Sequence, residues 1–315
     1  MTKIQNILPT IFKQTPVPEI SQTPTLSANQ QTKLTWSRII ETHADVPEIY
    51  KTFFIDGEAF PYTVFTPARA GFVTKATEKL ICAFAREIYV LEKNEDAFET
   101  QCYPIDGISY IEVKSILLDA HIKISGVTKQ GVSTSTTIKF NSANEYLFTP
   151  ILQKMRSAIS DSKSVVQNSE LDKFDYLLRS NYKFMNYARQ SLLAGEKVIQ
   201  SILQPEIRVP VFKALGRLFS KIISPTHISI LTDRELIVIR EDEPQNRTVG
   251  RYGGLWNYIP LNKIASLTLN GKNDDLLILS IQLPESIRLE YLFQASAKHE
   301  LDQLLDRFNE LTAKQ

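Results

Sequence analysis

Histidines and cysteines are the first residues of this chain that could carry out chemistry. No histidine has a cysteine, another histidine or a carboxylate at the spacing of a metal site; the four are His43, His121, His227 and His299. Cys82 lies inside an apolar run, which is typical of a small core residue. Cys102 has no neighbouring base motif that would activate its thiol. The sequence therefore predicts neither a metal site nor a cysteine nucleophile.

Two acidic clusters and one glycine-rich segment are the other places where catalytic groups could lie. Glu241-Asp242-Glu243 and Asp274-Asp275 fall in predicted hairpin loops, where solvated charge is the expected state. Acid–base catalysis instead needs carboxylates in a dry cleft that separates their pKa values. The segment 250–254 has glycines but not the strand-to-helix context of a phosphate-binding loop. We therefore expect a protein that is not an enzyme and that uses no cofactor.

Residues 208–223 combine basic and aromatic residues at regular spacing. If this segment is a helix, three basic residues recur every four positions and the phenylalanines lie on another side. A basic amphipathic helix is typical of attachment to an anionic membrane surface, to which three cations contribute roughly 3 kcal/mol. In the other interpretation, the helix packs its apolar face on its own domain and leaves the cations in solvent. The candidate membrane-binding or anion-binding residues are Phe212, Lys213, Arg217, Phe219 and Lys221.

Length, composition and charge limit the partners and the location of the protein. A chain of 315 residues with 43% hydrophobic residues can form two globular domains of ordinary size. The net charge of +1 provides no overall field for nucleic acid, and the predicted strands lack aromatic residues on a basic face. We therefore expect no nucleic-acid partner. Two cysteines, no apolar segment long enough to span a bilayer and no signal-like start favour a cytoplasmic protein, which segment 208–223 could hold at the membrane periphery.

Short blocks of sequence occur twice in the same order along the chain, which predicts an internal duplication. The two central pairs share an offset of 148 residues, so the stretch between them keeps its length. The matched segments are 57–58 with 195–196, Pro67 with Pro205, 86–91 with 234–239, 110–111 with 258–259, and the identical EYLF at 145–148 and 290–293.

The repeated blocks alternate in the way of short strands separated by turns, and a helix is predicted after each copy. In the second copy, strands are predicted at 227–231 and 235–240, with the turn-favouring Asp233 between them. In the second copy, apolar residues recur at the spacing of one helical stripe; they are Leu301, Leu304, Leu305, Phe308 and Leu311. This stripe predicts a helix that plugs the open end of a small β-barrel or sandwich.

This order of elements resembles the pleckstrin-homology-like superfold, especially the bacterial pleckstrin-homology-like and GRAM-like domains. The residues that carry the resemblance are ILTDRELIVIRE at 230–241, YIPLNKIASL at 258–267, AFAREIYVLE at 83–92, YIEVKSILL at 110–118, and the EYLF segments with their helices. The resemblance implies an α+β protein of two tandem modules, each a partly open antiparallel β-barrel or sandwich closed by a C-terminal helix. In eukaryotic members of the superfold, basic residues between the first two strands often contact phosphoinositide headgroups, which implies that role for segment 208–223.

The predicted organisation has four parts, and the function follows from it. They are a disordered N-terminal tail at 1–35, module 1 at 36–157, a polar linker at 158–169, and module 2 at 170–315, which begins with a helix. Two copies of a binding fold without a catalytic constellation predict a non-enzymatic binding or scaffolding protein. It would mediate protein–protein interaction or self-association as a homo-oligomer. The alternative is a peripheral membrane protein that binds lipid headgroups through segment 208–223.

Overall fold

The structure is a computed structural model, and it describes residues 36–55, 59–70, 75–157, 167–214, 217–241 and 253–313. The predicted tail at 1–35 and most of the predicted linker lie outside these residues. The described chain is rich in antiparallel strands and ends in a helix, which confirms the α+β class. It contains no closed barrel. Within the described ranges, no helix is long and apolar enough to cross a membrane.

The first half of the chain has two 3₁₀ helices, His43–Asp45 and Glu48–Phe53, directly after its first strand, and it ends with helix α1 (Thr149–Ser157). Its strands are β1 (Arg38–Ile40), β2 (Tyr62–Thr66), β3 (Arg69–Ala70), β4 (Lys75–Ala76), β5 (Lys79–Ala83), β6 (Glu87–Asn94), β7 (Ala97–Pro104), β8 (Ile108–Ile116), β9 (Asp119–Val127) and β10 (Ser133–Phe140). Two further 3₁₀ helices, Ile105–Gly107 and Ser142–Leu147, follow β7 and β10.

The second half begins with helices α2 (Asn168–Asp172) and α3 (Tyr182–Ser191), with a 3₁₀ turn at Asp175–Leu177 between them, and ends with helix α4 (Lys298–Thr312). Its strands are β11 (Val198–Gln204), β12 (Ile207–Ala214), β13 (Arg217–Ser224), β14 (His227–Thr232), β15 (Glu235–Arg240), β16 (Gly254–Pro260), β17 (Ser266–Asn273), β18 (Leu276–Gln282) and β19 (Arg288–Gln294). A 3₁₀ turn, Leu261–Lys263, follows β16, and another, Ala295–Ala297, precedes α4.

The sheets join the two halves. One sheet has the order β1-β2-β5-β6-β7, and β17-β18-β19 form another. The largest sheet, β10-β9-β8-β16-β15-β14-β11, takes three strands from the first half and four from the second. Its junction is the antiparallel pair β8–β16, from Gly254 opposite Ser115 to Tyr258 opposite Ile111. The boundaries of the predicted modules stay a prediction, because Thr35–Gln315 form one compact unit.

The same order of elements occurs in both halves, from β2 to α1 and from β11 to α4. Each time a strand and a hairpin lead into three strands, a 3₁₀ turn, three more strands and a helix. The 3₁₀ turns of the two halves make equivalent hydrogen bonds: Ile105 N–H donates to Arg86 O, and Leu261 N–H donates to Arg234 O, both at 2.9 Å. Pro67 and Pro205 each follow directly on the first of these strands. Gly57-Glu58 lie outside the described residues.

Two of the matched blocks do not correspond in the structure. The turn bonds align β7 with β16, so Tyr258-Ile259 lie before a 3₁₀ turn whereas Tyr110-Ile111 lie after one. The EYLF segment at 145–148 lies in and just after a 3₁₀ helix, and the one at 290–293 is in β19. The neighbours decide between the two conformations. In the first copy the Asn141 side chain accepts a hydrogen bond from Ala143 N and caps the 3₁₀ helix, whereas β18 pairs with the second copy.

Segment 208–223 is a β-hairpin, so the predicted amphipathic helix is wrong. β12 and β13 pair antiparallel within residues 207–224. Valines and isoleucines are frequent at both ends of the segment and favour strands. The four-residue spacing of Lys213, Arg217 and Lys221 therefore does not place them on one helical face.

Two core clusters cover the two faces of β14 and β15. Ile228, Ile230 and Ile237 belong to the larger cluster, which continues through α3 and α1 into the interior of the first half. The alternating residues Leu236 and Val238 belong to the second cluster, which α4 closes. The predicted stripe of α4 is present: Leu301, Leu304 and Phe308 are buried, and Leu305 and Leu311 pack against them.

The predicted helix at the start of the second half is divided into α2, a 3₁₀ turn and α3. Asn181 interrupts it, because its side chain accepts a hydrogen bond from Phe184 N and begins α3. Phe174, Leu177 and Phe184 are fully buried in the core shared by the two halves. These elements therefore hold the halves together, as the apolar residues of the segment indicate.

Arg156 of α1 is buried at the contact between the two halves. Its Nε donates to Glu235 Oε1 at 3.0 Å, and its Nη2 donates to the carbonyl oxygen of Ser191 at 2.7 Å. The guanidinium carbon lies 3.7 Å from the ring centre of Tyr258. A second carboxylate, that of Glu196, lies 3.8 Å from Nη2. One buried cation therefore holds two buried carboxylates.

Candidate functional site

A polar cavity of ≈ 280 Å³, called here the second cavity, opens in the second half of the chain. The beginning of β14, the end of β15, the middle of β16 and strand β19 form its wall, and β8 contributes one residue from the first half. The polar and charged side chains that line it are Glu112, His227, Arg240, Asn257, Arg288, Glu290, Tyr291 and Ser224.

The first half has a cavity at the corresponding place, of ≈ 450 Å³ and called here the first cavity. Lys79 and His227 begin β5 and β14, and each lies in register opposite another residue of its cavity, Glu92 and Arg240 respectively. Gln101 lies opposite Val90 in β7, as Asn257 lies opposite Val238 in β16. The two halves therefore form the same opening with different side chains.

The first cavity contains a complete ion pair. The ammonium of Lys79, which is buried, pairs with the carboxylate of Glu92. Burial of Glu92 opposes its ionisation, but the hydrogen bonds from Lys79 and Thr77 prevail and hold its pKa below the ordinary value. Opposite charges at these two positions therefore satisfy each other.

His227 in the second cavity is neutral and has an unused acceptor. Its side chain is 2% exposed, and burial lowers its pKa to about 4. Nδ1 lies 3.2 Å from the carbonyl oxygen of Pro225, so Nδ1 carries the proton and donates it. Nε2 is then an acceptor, and it is buried without a hydrogen-bond partner among the described residues.

Asn257 and Arg240 are the other groups of this cavity with unused capacity. Asn257 Nδ2 donates to Tyr291 Oη at 2.8 Å, whereas its Oδ1 is buried without a partner in the described part of the chain. The guanidinium of Arg240 makes no hydrogen bond and no ion pair within the same ranges. Unlike Glu92 in the first cavity, Arg240 therefore has no opposite charge supplied by the strand beside it.

The first half supplies a carboxylate to the second cavity. Glu112 in β8 lies in register opposite Asn257 across the junction. Its Oε1 lies 3.2 Å from His121 Nε2, and this hydrogen bond holds the pKa of Glu112 below its ordinary value, against the effect of burial. Glu112 and Arg240 line one cavity but are more than 4 Å apart, since no ion pair joins them. Arg288 pairs instead with Glu290 at 2.6 Å.

The residues predicted as a membrane or anion site lie on the β12–β13 hairpin and do not line either cavity. Phe212 lies in register opposite Phe219, and Arg217 lies opposite Ala214. Lys213 is also in β12. The side chains from 212 to 219 lie outside the described ones. Lys221 is described, and its side chain is exposed.

Exposed apolar side chains lie at the turn between β8 and β9 and in two segments that hydrogen bonds connect to it. Leu117 is 61% exposed, Leu118 69%, Tyr146 68% and Trp36 41%, and these four are called here the turn patch. Leu117 has a φ of +50°, a left-handed conformation that is uncommon for leucine. The corresponding turn in the second half, between β17 and β18, carries Asp274-Asp275 instead.

Sequence reasoning missed both the turn patch and the second cavity. The sequence has two leucines at this turn in the first copy and two aspartates in the second, and this difference could have indicated the patch. The offset of the repeated blocks did not align the two turns, so the difference was not visible. The polar side chains of the cavity lie on strands whose pairing across the junction has no local signal. Cys82 is buried, as its apolar surroundings predict.

No protein-family model matches the chain, and a search of the curated proteins finds no match. Among the described residues, no group of three or more histidine, cysteine, aspartate or glutamate side chains could hold a metal ion.

Proposed function

We propose that this chain is a non-enzymatic binding protein of two pleckstrin-homology-like modules that mediates protein–protein interaction or self-association. The repeated order of seven strands and a helix, with a hairpin after the first strand, supports two related modules. The equivalent cavities, each beginning at the first residue of the second long strand, support the same interpretation. The fold assignment rests on this order and on the resemblance of the sequence.

The turn patch is the observation that carries the interaction function. A leucine in the left-handed conformation costs roughly 1–2 kcal/mol, and aspartate or asparagine adopts it more readily. The second half has aspartates at this turn, neither of them with a positive φ, whereas the first half exposes two leucines and holds Leu117 in the left-handed conformation. Burying a leucine side chain contributes roughly 1.5–3 kcal/mol, so covering both would offset the strain. A partner surface that covers Leu117 and Leu118 explains both departures.

Hydrogen bonds hold the segments of the turn patch together. Ser142 Oγ donates to the carbonyl oxygen of Leu117, and Ser115 Oγ donates to Glu145 Oε2 at 2.8 Å. Asn144 Nδ2 donates to the carbonyl oxygen of Ser37, next to Trp36, at 3.2 Å. A surface fixed in this way loses little conformational entropy on binding.

A site-specific crosslink tests the proposal. A photoreactive phenylalanine analogue placed at Tyr146 should form an adduct of defined mass, either with a second copy of the chain or with one partner. The double variant Leu117→Asp, Leu118→Asp, which has the residues of the second turn, should abolish the adduct without lowering the melting temperature. The analogue placed at Tyr176, which is 53% exposed elsewhere, is the matched control. A monomer by sedimentation velocity that gives no adduct from position 146 would refute the proposal.

Attachment to an anionic membrane is the second candidate function, and the hairpin favours it. Val211 is 59% exposed and Lys221 is exposed in the same hairpin. Liposomes with and without anionic lipid distinguish this function from the first. Binding that requires anionic lipid and is lost in Lys213→Glu, Arg217→Glu, while the Tyr146 adduct is absent, would favour the membrane.

A further inference from the structure

The second cavity differs from the first in one way that points to a ligand. At the same two positions, the first cavity has Lys79 and Glu92, which neutralise each other, and the second has a neutral histidine and Arg240. The residue opposite Arg240 in the strand pair therefore supplies no acid, and Glu112, whose pKa the charge of Arg240 helps to lower, makes no ion pair with it. An acidic group of a ligand would complete the second cavity as Glu92 completes the first.

Several groups in the same wall accept hydrogen bonds. The carboxylate of Glu112 enters from the first half, and the acceptors His227 Nε2 and Asn257 Oδ1 are buried without partners among the described residues. A buried polar atom without a partner costs about 1–3 kcal/mol. These side chains are 2% and 4% exposed, so their orientation is fixed by packing and not by solvent. They are suited to a ligand that brings hydrogen-bond donors.

Charge selects between kinds of ligand. A simple anion attracted by Arg240 would also meet the carboxylate of Glu112, and a simple cation would meet Arg240. A small molecule with both a negative group and a positive donor group complements both. The volume of ≈ 280 Å³ lies just below the usual range for ligand pockets, which suits a molecule of few atoms.

We infer that the second cavity binds a small zwitterion of the α-amino acid class, with its carboxylate on Arg240 and its ammonium group toward Glu112. The site is composite, because Glu112 belongs to the first half and Arg240 to the second. It is separate from the turn patch, so the inference goes beyond the proposed function and does not depend on it.

Isothermal titration of the full chain with each of the twenty free α-amino acids tests the inference. Succinate, ethanolamine and inorganic phosphate are the matched probes, since each carries charge of only one sign. One or a few amino acids should bind, and these probes should bind at least tenfold more weakly. Equal binding of phosphate or succinate would show a plain anion site and overturn the inference, as would no binding of any amino acid.

Variants assign the two charges. Arg240→Gln and Glu112→Gln should each weaken amino-acid binding at least tenfold, whereas Thr137→Ala, in the wall of the first cavity, should leave it unchanged. Because a variant could lose affinity by unfolding, the ¹⁵N resonances of His227 in the wild-type chain provide a second measurement. They should shift on addition of the amino acid and not of phosphate. The variant Leu117→Asp, Leu118→Asp should still bind, which separates this result from the test of the turn patch.

Discussion

At the scale of single residues, two buried groups give stability opposite dependences on pH. Burial lowers the pKa of His227 to about 4, below its ordinary value of about 6.5, so the unfolded chain binds more protons between these values. The stability that His227 contributes therefore rises with pH across that window. Burial and the nearby Glu235 raise the pKa of Glu196 to about 7 from 4.5, so there the folded chain binds more protons. Its contribution is present below pH 4.5 and is lost as the pH rises to about 7.

The two pH windows overlap, so the opposite contributions of His227 and Glu196 to the free energy of unfolding partly cancel in the wild-type chain. We expect Glu196→Gln to make the free energy of unfolding rise with pH between 4.5 and 6.5, relative to wild type. His227→Gln should make it fall over the same range. Each effect is at most about 1.4 kcal/mol per pH unit. Urea denaturation followed by circular dichroism at several pH values measures both slopes. Parallel curves for the three proteins would contradict the assignment.

At the scale of elements, long patterns predict the structure and short ones do not. The predicted strands 227–231 and 235–240 agree with β14 and β15 within one residue. Isoleucines alternate with polar residues in the first, apolar residues are continuous in the second, and a turn residue separates them. The apolar stripe of α4 was predicted equally well, since it extends over three turns of helix. The predictions for EYLF and for segment 208–223 failed because a few residues fit either a helix or a strand. Pairing with other strands decided between the two conformations.

The burial of the predicted stripe of α4 can be tested quantitatively. Leu304 of α4 is fully buried against the second core cluster, so Leu304→Ala should lower the free energy of unfolding by about 2–5 kcal/mol. Leu178, which is 53% exposed, is the control, and Leu178→Ala should change it by less than about 0.5 kcal/mol. Urea denaturation measures both. Equal effects of the two substitutions would mean that α4 does not close the core.

At the scale of the whole molecule, the junction joins the two halves into one compact unit. The pair β8–β16 continues one sheet through both halves, the larger core cluster has residues from both, and Arg156 of the first half is buried against Glu235 of the second. The sequence indicates a repeat but not this pairing, because no local pattern tells which edges of two similar units meet. It therefore predicts two tandem modules, but it does not predict the composite second cavity.

Gly253 tests the junction directly. Its φ is +89°, and a Cβ there would lie 2.0 Å from the carbonyl oxygen of Ser115, so an alanine must push β16 away from β8. Gly131 has a φ of +76° but no atom within 4 Å of a Cβ, so Gly131→Ala carries the cost of the backbone conformation alone. We expect Gly253→Ala to destabilise the chain by about 1–3 kcal/mol more than Gly131→Ala. Calorimetry should show one unfolding transition for wild type and for both variants, since the halves share a core. Two transitions in the wild-type chain would show that the halves unfold independently. Equal shifts in melting temperature for the two alanine variants would show that the junction adds little stability.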